Sequence, residues 1–275
     1  MNKLKSIFTY GILSIAAIVS LFPFAWMLIS MTNKSSDISQ GRLLPGSNLL
    51  ENLRNLFESY NVGSALFNSF FIAIVATVLC LVVSSLAGYG FEIYRSKGKD
   101  IVFNILLLSM MIPFAALMVP LFRLFGDVSQ VFPAFGIDTL YAVILPYVST
   151  AFFIFFFRQN TKMFTKDLIE AGRIDGLSEI GIFFRIYMPS MKNTFAAAGI
   201  ISFMNNWNNF LWPLVILQSP DVQTIPLLIS NLGSGYSPDF GIIYTAIVIG
   251  TIPTALIFFF LQKYFVEGMT GSVKG

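Results

Sequence analysis

Six long apolar segments constrain the fold of this chain more than any other feature of its sequence. A helix needs about 20 apolar residues to cross the hydrocarbon core of a bilayer, and each segment reaches that length. Because lipid offers no hydrogen-bond partner to the backbone, such segments form helices. The sequence therefore predicts an all-α integral membrane protein that forms a single domain, residues 1–275. Six transmembrane helices are expected, near residues 7–31, 65–90, 101–125, 139–158, 194–217 and 241–263.

The composition agrees with a membrane protein and excludes several kinds of catalytic site. Only 11% of the residues are charged, against about 25% in soluble domains. The chain has no histidine, which removes histidine-based acid–base catalysis, metal sites and triads. Its one cysteine, Cys80, lies in an apolar segment and is expected to be a buried small side chain. Residues 41–47 resemble a phosphate-binding loop but lack its lysine. We therefore expect no enzymatic activity, catalytic residue, metal or cofactor in this chain.

The distribution of basic residues predicts the orientation of the chain in the membrane. If the N-terminus is cytoplasmic, most of the 17 Lys and Arg residues lie on the inner side, as the positive-inside rule requires. The exceptions on the outer side are Lys34, Arg42, Arg54 and Arg123. The first apolar segment is longer than the core of a signal peptide, about 7–15 residues, so it is expected to be retained. Both termini and the 159–193 loop are predicted to be cytoplasmic.

Prolines occur in five of the six apolar segments and are expected to interrupt them. A proline inside a helix removes a backbone hydrogen bond, which neighbouring helices or water must replace. Such breaks occur where helices line a path, although a tolerated kink without a role explains any single one equally well. The prolines are Pro23, Pro113, Pro120, Pro146, Pro213 and Pro253.

The 159–193 loop has the pattern of a small folded unit. A first short helix is expected over residues 165–176, with Thr165 as its N-cap and Gly176 as its stop. Ser178 is expected to cap a second helix that ends at Pro189. One apolar stripe follows the helical period in this second helix, formed by Ile180, Phe183, Phe184, Tyr187 and Met188. This pattern fits a hairpin on the lipid surface and a protein-docking hairpin equally well.

The spacing of particular residues in this loop resembles the EAA loop of ABC importer permeases. The family pattern is Glu-Ala-Ala, three residues, Gly, nine residues and Ile-x-Leu-Pro. This chain has Glu170-Ala171-Gly172, then Gly176, then Ile186-Tyr187-Met188-Pro189. It departs from the pattern with Gly172 in place of alanine and Met188 in place of leucine, and keeps the spacing.

Further motifs resemble the carbohydrate-uptake branch of that family, and the C-terminal tail is similar to that of the smaller maltose-type permease. In chain order they are Asn68-Ser69-Phe70, Ala87-Gly88-Tyr89-Gly90-Phe91, Met111-Ile112-Pro113, Pro120-Leu121-Phe122, Arg173-Ile174-Asp175-Gly176, Trp207-Asn208-Asn209-Phe210-Leu211-Trp212-Pro213, Thr224-Ile225-Pro226-Leu227, Gln262-Lys263-Tyr264-Phe265-Val266-Glu267-Gly268 and Val273-Lys274-Gly275. Their order and spacing cover most of the chain.

The resemblance implies a type I ABC importer permease fold and a set of partners. These are a second homologous permease, a dimer of ATP-binding subunits that hold ATP and Mg²⁺, an extracytoplasmic solute-binding protein, a sugar and membrane lipid, with no nucleic acid. The EAA loop is then a coupling helix that inserts into the ATPase. Its expected coupling residues are Glu170, Ala171, Gly172, Asp175, Gly176 and Pro189. Glu170 offers a carboxylate to a basic partner, and the two glycines permit close backbone approach.

Three further segments receive roles from the resemblance, each with a simpler alternative. The polar run Asn205, Asn206, Trp207, Asn208 and Asn209 offers amides and an indole to a sugar, or hydrogen bonds to the partner permease. The outer loop 218–240, with Gly233, Gly235 and Tyr236, is expected to contact the binding protein, or only to connect two helices. The tail 264–275 is expected to reach the ATPase, or to fray.

The sequence thus predicts a multi-pass permease subunit of an ATP-driven sugar importer, most simply for an oligosaccharide, in the cell membrane of a prokaryote. It would form half of the translocation path and hydrolyse no ATP itself. A permease of the same superfamily for a polyamine, phosphate or another non-sugar solute is the first alternative. A secondary transporter or channel that acts alone is the second. The first alternative would be expected to lack the Val-Lys-Gly tail and the Trp-Asn-Asn run, and the second would have no ATPase partner.

Overall fold

The apolar segments of the chain form helices, as a computed structural model of the protein shows. It describes the backbone of residues 3–270 and the side chains of Ser6 and residues 8–262. No strand occurs among these residues. The α-helices in chain order are α1 Lys3–Ser30, α2 Ser35–Ser39, α3 Leu49–Ser59, α4 Val62–Ile93, α5 Lys97–Ser109, α6 Phe114–Val131, α7 Leu140–Ile144, α8 Ala151–Thr161, α9 Asp167–Ile174, α10 Glu179–Ile182, α11 Met188–Ser190, α12 Lys192–Trp207, α13 Leu211–Ile216, α14 Ile225–Gly233 and α15 Phe240–Thr270.

Shorter helical turns connect several of these helices. Three are 3₁₀ turns, at Pro133–Phe135, Leu145–Tyr147 and Pro220–Val222. A fourth, Phe183–Tyr187, is a π-helical turn between α10 and α11. A π turn closes its hydrogen bonds over five residues rather than four, so it rotates the faces of the helix that follows.

Four helices in the described part of the chain are long and apolar enough to cross a membrane. They are Phe8–Ser30, Val62–Ile93, Phe114–Val131 and Phe240–Gln262. A fifth span is possible if the pair Leu140–Tyr147 and Ala151–Thr161, bent by 41°, is one crossing. The fifth predicted segment, 194–217, is broken: α12 has 16 residues, and α13 follows after a gap at 208–210. The six-helix arrangement and the cytoplasmic termini remain predictions.

The prolines act differently from one another, and the expectation that all of them interrupt their segments is wrong. Pro23, Pro120 and Pro253 lie inside continuous helices. Pro113 precedes α6 at a break, and Pro146 lies in a 3₁₀ turn. A proline inside a helix removes one hydrogen bond and bends the helix without ending it if its surroundings hold the remaining turns.

The helices fall into two compact units. The first contains residues 1–63 and 225–252, and the second contains residues 64–224 and 253–275. In the first unit, the buried Asn52 donates hydrogen bonds to the carbonyls of Met31 and Asn33, at 2.9 and 3.0 Å. A Cβ on Gly241 would lie 2.8 Å from Oδ1 of Asn52. The start of α15 therefore passes the polar turn after α1 at a distance that only glycine permits.

In the second unit, α4 and α8 touch through their backbones. A Cβ on Gly88 would lie 2.7 Å from Cβ of Phe157 and 2.8 Å from the backbone nitrogen of Arg158. No side chain fits in that space, so Gly88 allows the two helices to approach closely. Cys80 is buried beside Phe157 in the core next to this contact, as predicted.

The loop after α13 is held by two side chains of the second unit. Asp138 has a left-handed backbone, with φ of 63°. Its carboxylate accepts hydrogen bonds from the backbone N–H groups of Gln218 and Ser219, at 2.7 and 2.9 Å, and from the hydroxyl of Ser219. Asn68 donates to the carbonyls of Asp221 and Gln223. Residues 218–223 are therefore held through four of their backbone groups and the hydroxyl of Ser219.

Candidate functional site

The first helix of the 159–193 loop is shorter than predicted. α9 begins at Asp167 rather than at residue 165, and Thr165 is not its N-cap, because Lys166 occupies that position and no side chain caps it. Its end is as predicted. Gly176 has φ of 78°, and the N–H groups of Gly176 and Leu177 donate to the carbonyls of Arg173 and Gly172, at 3.1 and 3.0 Å. These two bonds form a Schellman motif, the common helix stop that a left-handed glycine permits.

The second helix begins as predicted, and its buried face contains Phe183 and Tyr187 of the predicted stripe but neither Ile180 nor Phe184. Oγ of Ser178 accepts a hydrogen bond from the N–H of Gly181 at 3.1 Å and caps α10. Ile180 is nevertheless 72% exposed and Phe184 46% exposed, whereas Ile182 is fully buried. The buried face is formed by Ile182, Phe183 and Tyr187. The prediction assumed one α-helical period, and the π turn changes that period in the middle of the segment.

This buried face packs against α4 and α9. The ring of Tyr89, on α4, lies 4.7 Å from that of Tyr187 and 5.4 Å from that of Phe183 between centroids. Ile169 of α9 completes the cluster on the other side. We call residues 167–190, from α9 to α11, the hairpin. Its interior is an apolar core that packs the hairpin against α4.

Gly172 does not have the role expected of it. It is buried, and a Cβ on it would lie 2.6 Å from Cδ1 of Ile186 and 3.2 Å from Cγ1 of Ile182. The absent side chain therefore makes room for isoleucines of the same hairpin, not for a partner backbone. Glycine at this position allows α9 to lie close against the π turn.

The opposite face of the hairpin is open. Glu170, Ala171 and Asp175 are exposed, as is Pro189 in α11. Ile174, between the acidic residues, is 86% exposed.

Three polar contacts hold the hairpin, two to residues beside it and one between its own helices. The hydroxyls of Tyr187 and Thr161, at the end of α8, lie 2.6 Å apart in a buried position, and burial raises the pKa of Tyr187 to about 12. Arg173 donates to both carboxylate oxygens of Glu179, at 2.8 and 3.3 Å, and the hydroxyl of Tyr94 donates to the same carboxylate. These hydrogen bonds, first from Arg173 and then from Tyr94, lower the pKa of Glu179 below its ordinary value.

The polar run 205–209 ends α12 and is split between buried and exposed residues. Asn206 is buried and donates to the carbonyl of Ser202 at 2.8 Å, but its Oδ1 has no partner among the described residues. Nδ2 of Asn209 also meets no partner at hydrogen-bonding distance and angle within the described chain, although the side chain of Tyr147 lies near it. One buried acceptor and one buried donor are thus unsatisfied near the same helix break, which native proteins rarely leave so.

The other members of this run are not available in the way expected. The Trp207 ring is 2% exposed, with Phe203 stacked on it at 5.9 Å and Phe70 at 4.6 Å. Its faces are covered by this chain, so it offers no open stacking surface for a sugar. Asn205 and Asn208 are exposed, and Asn208 donates to the carbonyl of Met204 at the helix end.

The predicted outer tip and tail are described in part. Tyr236 is fully exposed after α14, and a Cβ on Gly233 or Gly235 would meet no described atom within 4 Å. Neither glycine has a left-handed backbone, so the tip does not depend on glycine. Helix α15 continues to Thr270, beyond the predicted end of the last span at 263. Residues 271–275 of the predicted tail lie outside the described backbone.

A buried charge cluster was missed by the sequence analysis, which counted its arginine only among the basic residues of the inner side. Arg158 and Glu92 each have side chains 6% exposed, with Nε of Arg158 3.4 Å from Oε2 of Glu92. Arg158 also pairs with Asp100, and its Cζ lies 4.0 Å from the centroid of Phe103. Hydrogen bonds from Arg158 and Arg95 lower the pKa of Asp100. One signal was available, because Glu92 lies four residues after Gly88, on the same face of α4.

Comparisons with known proteins agree in family and fold. Residues 81–271 match the family described as binding-protein-dependent transport system inner membrane component. The chain is 48% identical over 273 residues to the lactose transport system permease protein LacG of Rhizobium radiobacter, covering 99% of this chain and 98% of that protein. It is 38% identical to the arabinooligosaccharides transport system permease protein AraQ of Bacillus subtilis strain 168, covering 94% and 92%.

A solved structure has the same fold. It is a chain in the crystal structure of a bacterial ABC transporter involved in the import of the acidic polysaccharide alginate, with a TM-score of 0.84 and 20% identity over 96% of this chain and 97% of that one. The fold is therefore that of a type I ABC importer permease. Since the family model covers more than half of the chain and close relatives cover nearly all of it, this protein belongs to the family of inner membrane components of binding-protein-dependent transport systems.

Proposed function

We propose that the protein is the permease subunit of an ATP-driven importer for a sugar, most simply an oligosaccharide, and forms half of its translocation path. The observation that carries this proposal is the 48% identity to a lactose permease over almost the entire chain. A second relative named for arabinooligosaccharides, at 38% identity, supports the same class of solute.

The proposed mechanism uses the open face of the hairpin as the contact with a separate ATP-binding subunit. Exposed Ile174 would enter an apolar pocket of that subunit, and Glu170 and Asp175 would pair with basic residues around it. ATP and Mg²⁺ would be bound by a dimer of those subunits, so hydrolysis needs no catalytic group from this chain. The hairpin would then face the cytoplasm, together with both termini.

The hairpin is suited to transmit movement because it is fixed at several points. Its interior packs on Tyr89 of α4, and Tyr187 bonds to Thr161 of α8. A displacement of the hairpin would therefore move the ends of α4 and α8 with it, as packed helices move as units rather than deforming.

The proposed path runs past the break between α12 and α13. Oδ1 of Asn206 and Nδ2 of Asn209 supply one acceptor and one donor that have no described partner. A sugar hydroxyl can satisfy both kinds of group. Hydrogen bonds to the second permease would satisfy them as well, and substituting either asparagine distinguishes the two cases by its effect on solute preference.

The outer loop 218–240 would receive the solute-binding protein. The full exposure of Tyr236 supports this role, because binding residues often lie on exposed loops. Replacing Tyr236 with serine should weaken stimulation of ATP hydrolysis by the loaded binding protein, without changing the amount of assembled transporter.

The test of the proposed function is to purify the tagged chain from its native membrane and identify the proteins that accompany it. We expect an ATP-binding subunit and a second permease. In proteoliposomes, labelled lactose or an arabinooligosaccharide presented with the binding protein should be taken up only when ATP is present on the side of the membrane that carries the ATP-binding subunits. Uptake that needs an ion gradient and no ATP would indicate a secondary transporter. Stimulation by a polyamine or phosphate but by no sugar would overturn the solute class.

A further inference from the structure

The carboxylate of Glu179 connects three parts of the second unit. Arg173 reaches it from α9 and donates from Nε at 2.8 Å and from Nη2 at 3.3 Å. Tyr94 reaches it from the residue directly after α4. Glu179 itself begins α10. One side chain thus joins the two helices of the hairpin to each other and to the end of α4.

Tyr94 is itself held from a fourth direction. Nζ of Lys99, in the first turn of α5, donates to the Tyr94 carbonyl at 2.7 Å and lies 5.3 Å from the centre of the Tyr94 ring. The rings of Tyr94 and Tyr89 also pack in a T-shaped arrangement, with their centroids 6.1 Å apart. The hydroxyl of Tyr94 is therefore directed at Glu179 by contacts on both its backbone and its ring.

This arrangement contributes little to the stability of the fold. The side chains of Arg173 and Glu179 are 44% and 48% exposed, and exposed ion pairs are screened by water and salt. The apolar cluster beneath them holds the hairpin together. What the exposed contacts add is orientation: a planar guanidinium bonded through two nitrogens places a directional constraint on the angle between α9 and α10, which apolar contacts lack.

We propose that Tyr94, Arg173 and Glu179 are positioning residues that set the angle of α9 relative to α4, so that movement of the hairpin is passed to the transmembrane helices without slack. This inference rests on the proposed function, in which α9 is moved by an ATP-binding subunit. It assigns Arg173 to an internal contact, although the residue lies within the motif expected to meet that subunit.

The test compares three single variants, Tyr94→Phe, Arg173→Gln and Glu179→Gln, in the complete transporter. The control is Glu58→Gln on α3. It removes another exposed ion pair, in which Nε of Arg54 lies 2.7 Å from Oε1 of Glu58. Three quantities are measured: the amount of ATP-binding subunit retained on purification, the thermal midpoint in detergent, and the number of sugars moved per ATP hydrolysed in proteoliposomes.

We expect each of the three variants to lower the ratio of sugar moved to ATP hydrolysed by about two- to fivefold, the scale of one exposed charged contact. Retention of the ATP-binding subunit and the thermal midpoint should stay at the wild-type values, as both should in Glu58→Gln. The double exchange Arg173→Glu with Glu179→Arg should restore the ion pair but not the ratio, because an arginine at 179 cannot accept the Tyr94 hydrogen bond.

Tyr94 decides between positioning and direct contact. If Tyr94→Phe keeps the wild-type ratio while the two hairpin variants lower it, Arg173 and Glu179 act on the ATP-binding subunit directly and the inference is wrong. Wild-type ratios in all three variants would overturn it too. Wild-type protein that moves sugar without an ATP-binding subunit would contradict the proposed function itself, a result seen before any variant is compared.

Discussion

The hydroxyls of Thr161 and Tyr187 lie 2.6 Å apart in a buried position and join α8 to the π turn of the hairpin. Thr161 also donates to the carbonyl of Phe157 at 2.7 Å. Its single hydrogen is used there, so the hydrogen between the two hydroxyls belongs to Tyr187. The pair is therefore directional, with Tyr187 as donor and Thr161 as acceptor.

This direction predicts unequal effects of removing either hydroxyl. Tyr187→Phe leaves Thr161 bonded to Phe157 and should cost about 1 kcal/mol of stability. Thr161→Val leaves the Tyr187 hydroxyl buried without an acceptor and should cost about 1–3 kcal/mol. Thermal midpoints measured in detergent should therefore fall further for Thr161→Val than for Tyr187→Phe. The double variant should be no worse than Thr161→Val alone, and strict additivity would show that the two groups do not interact.

The contact at Gly88 predicts opposite outcomes for two neighbouring glycines of α4. Gly88→Ala forces the backbones of α4 and α8 apart, because its Cβ meets Phe157 and Arg158 below 3 Å; overpacking of this kind costs about 1–3 kcal/mol. Gly90→Ala meets no described atom within 4 Å and should be neutral or slightly stabilising, since alanine favours helix. Equal midpoints for both variants would mean that α4 and α8 are not in close contact.

The buried Arg158 is expected to matter more than any exposed charge. Arg158→Met leaves the carboxylate of Glu92 buried without its cation, a change that costs about 3–5 kcal/mol. Adding Glu92→Gln to that variant should recover part of the loss, because the unpaired charge is removed. Expression level and thermal midpoint report both effects, with Arg54→Gln as an exposed control. A double variant less stable than Arg158→Met would argue against charge burial as the cause.

The Asp138 carboxylate predicts a pH dependence for the 218–223 loop. Burial alone would raise the pKa of Asp138, but hydrogen bonds from Ser219 and Gln218 outweigh it, and the pKa is below its ordinary value. A lowered pKa in the folded state stabilises the protein above the unfolded pKa of about 3.9, and this contribution disappears as the pH falls through the folded value.

Comparing the wild type with Asp138→Asn isolates that contribution from other carboxylates. The difference between their thermal midpoints should be constant above about pH 5 and should shrink as the pH falls below about 4. A difference that does not change with pH would mean that the charge of Asp138 plays no part. Asp138→Ala should be worse than Asp138→Asn at every pH, because alanine lacks the acceptor and is strained at φ of 63°.

Features set by local chemistry were predictable from the sequence. Ser178 caps α10 and Gly176 ends α9, because a cap hydroxyl and a left-handed glycine act on backbone groups within three or four residues. The apolar segments are helical for the same reason, since lipid leaves them no other way to satisfy the backbone.

Features that depend on distant residues were not predictable. The space beside Gly172 is filled by Ile182 and Ile186. Gly172 is buried because the π turn brings these isoleucines against it, which the Glu170-Ala171-Gly172 motif does not indicate. Arg158 and Glu92 are 66 residues apart, and the one local signal, the four-residue spacing of Gly88 and Glu92, does not identify the residue that Glu92 meets. The covered ring of Trp207 is a further case, because Phe70 reaches it from a different helix.

The π turn also changes the meaning of the motif spacing. A π turn holds one residue more than an α turn. The segment from Gly176 to Ile186 therefore contains one residue more than a regular α-helix would use to bring the same face inward. That extra residue lies within a helical segment rather than in a loop, and the family spacing that this chain keeps already contains it. Deleting one residue there would turn Tyr187 away from Thr161.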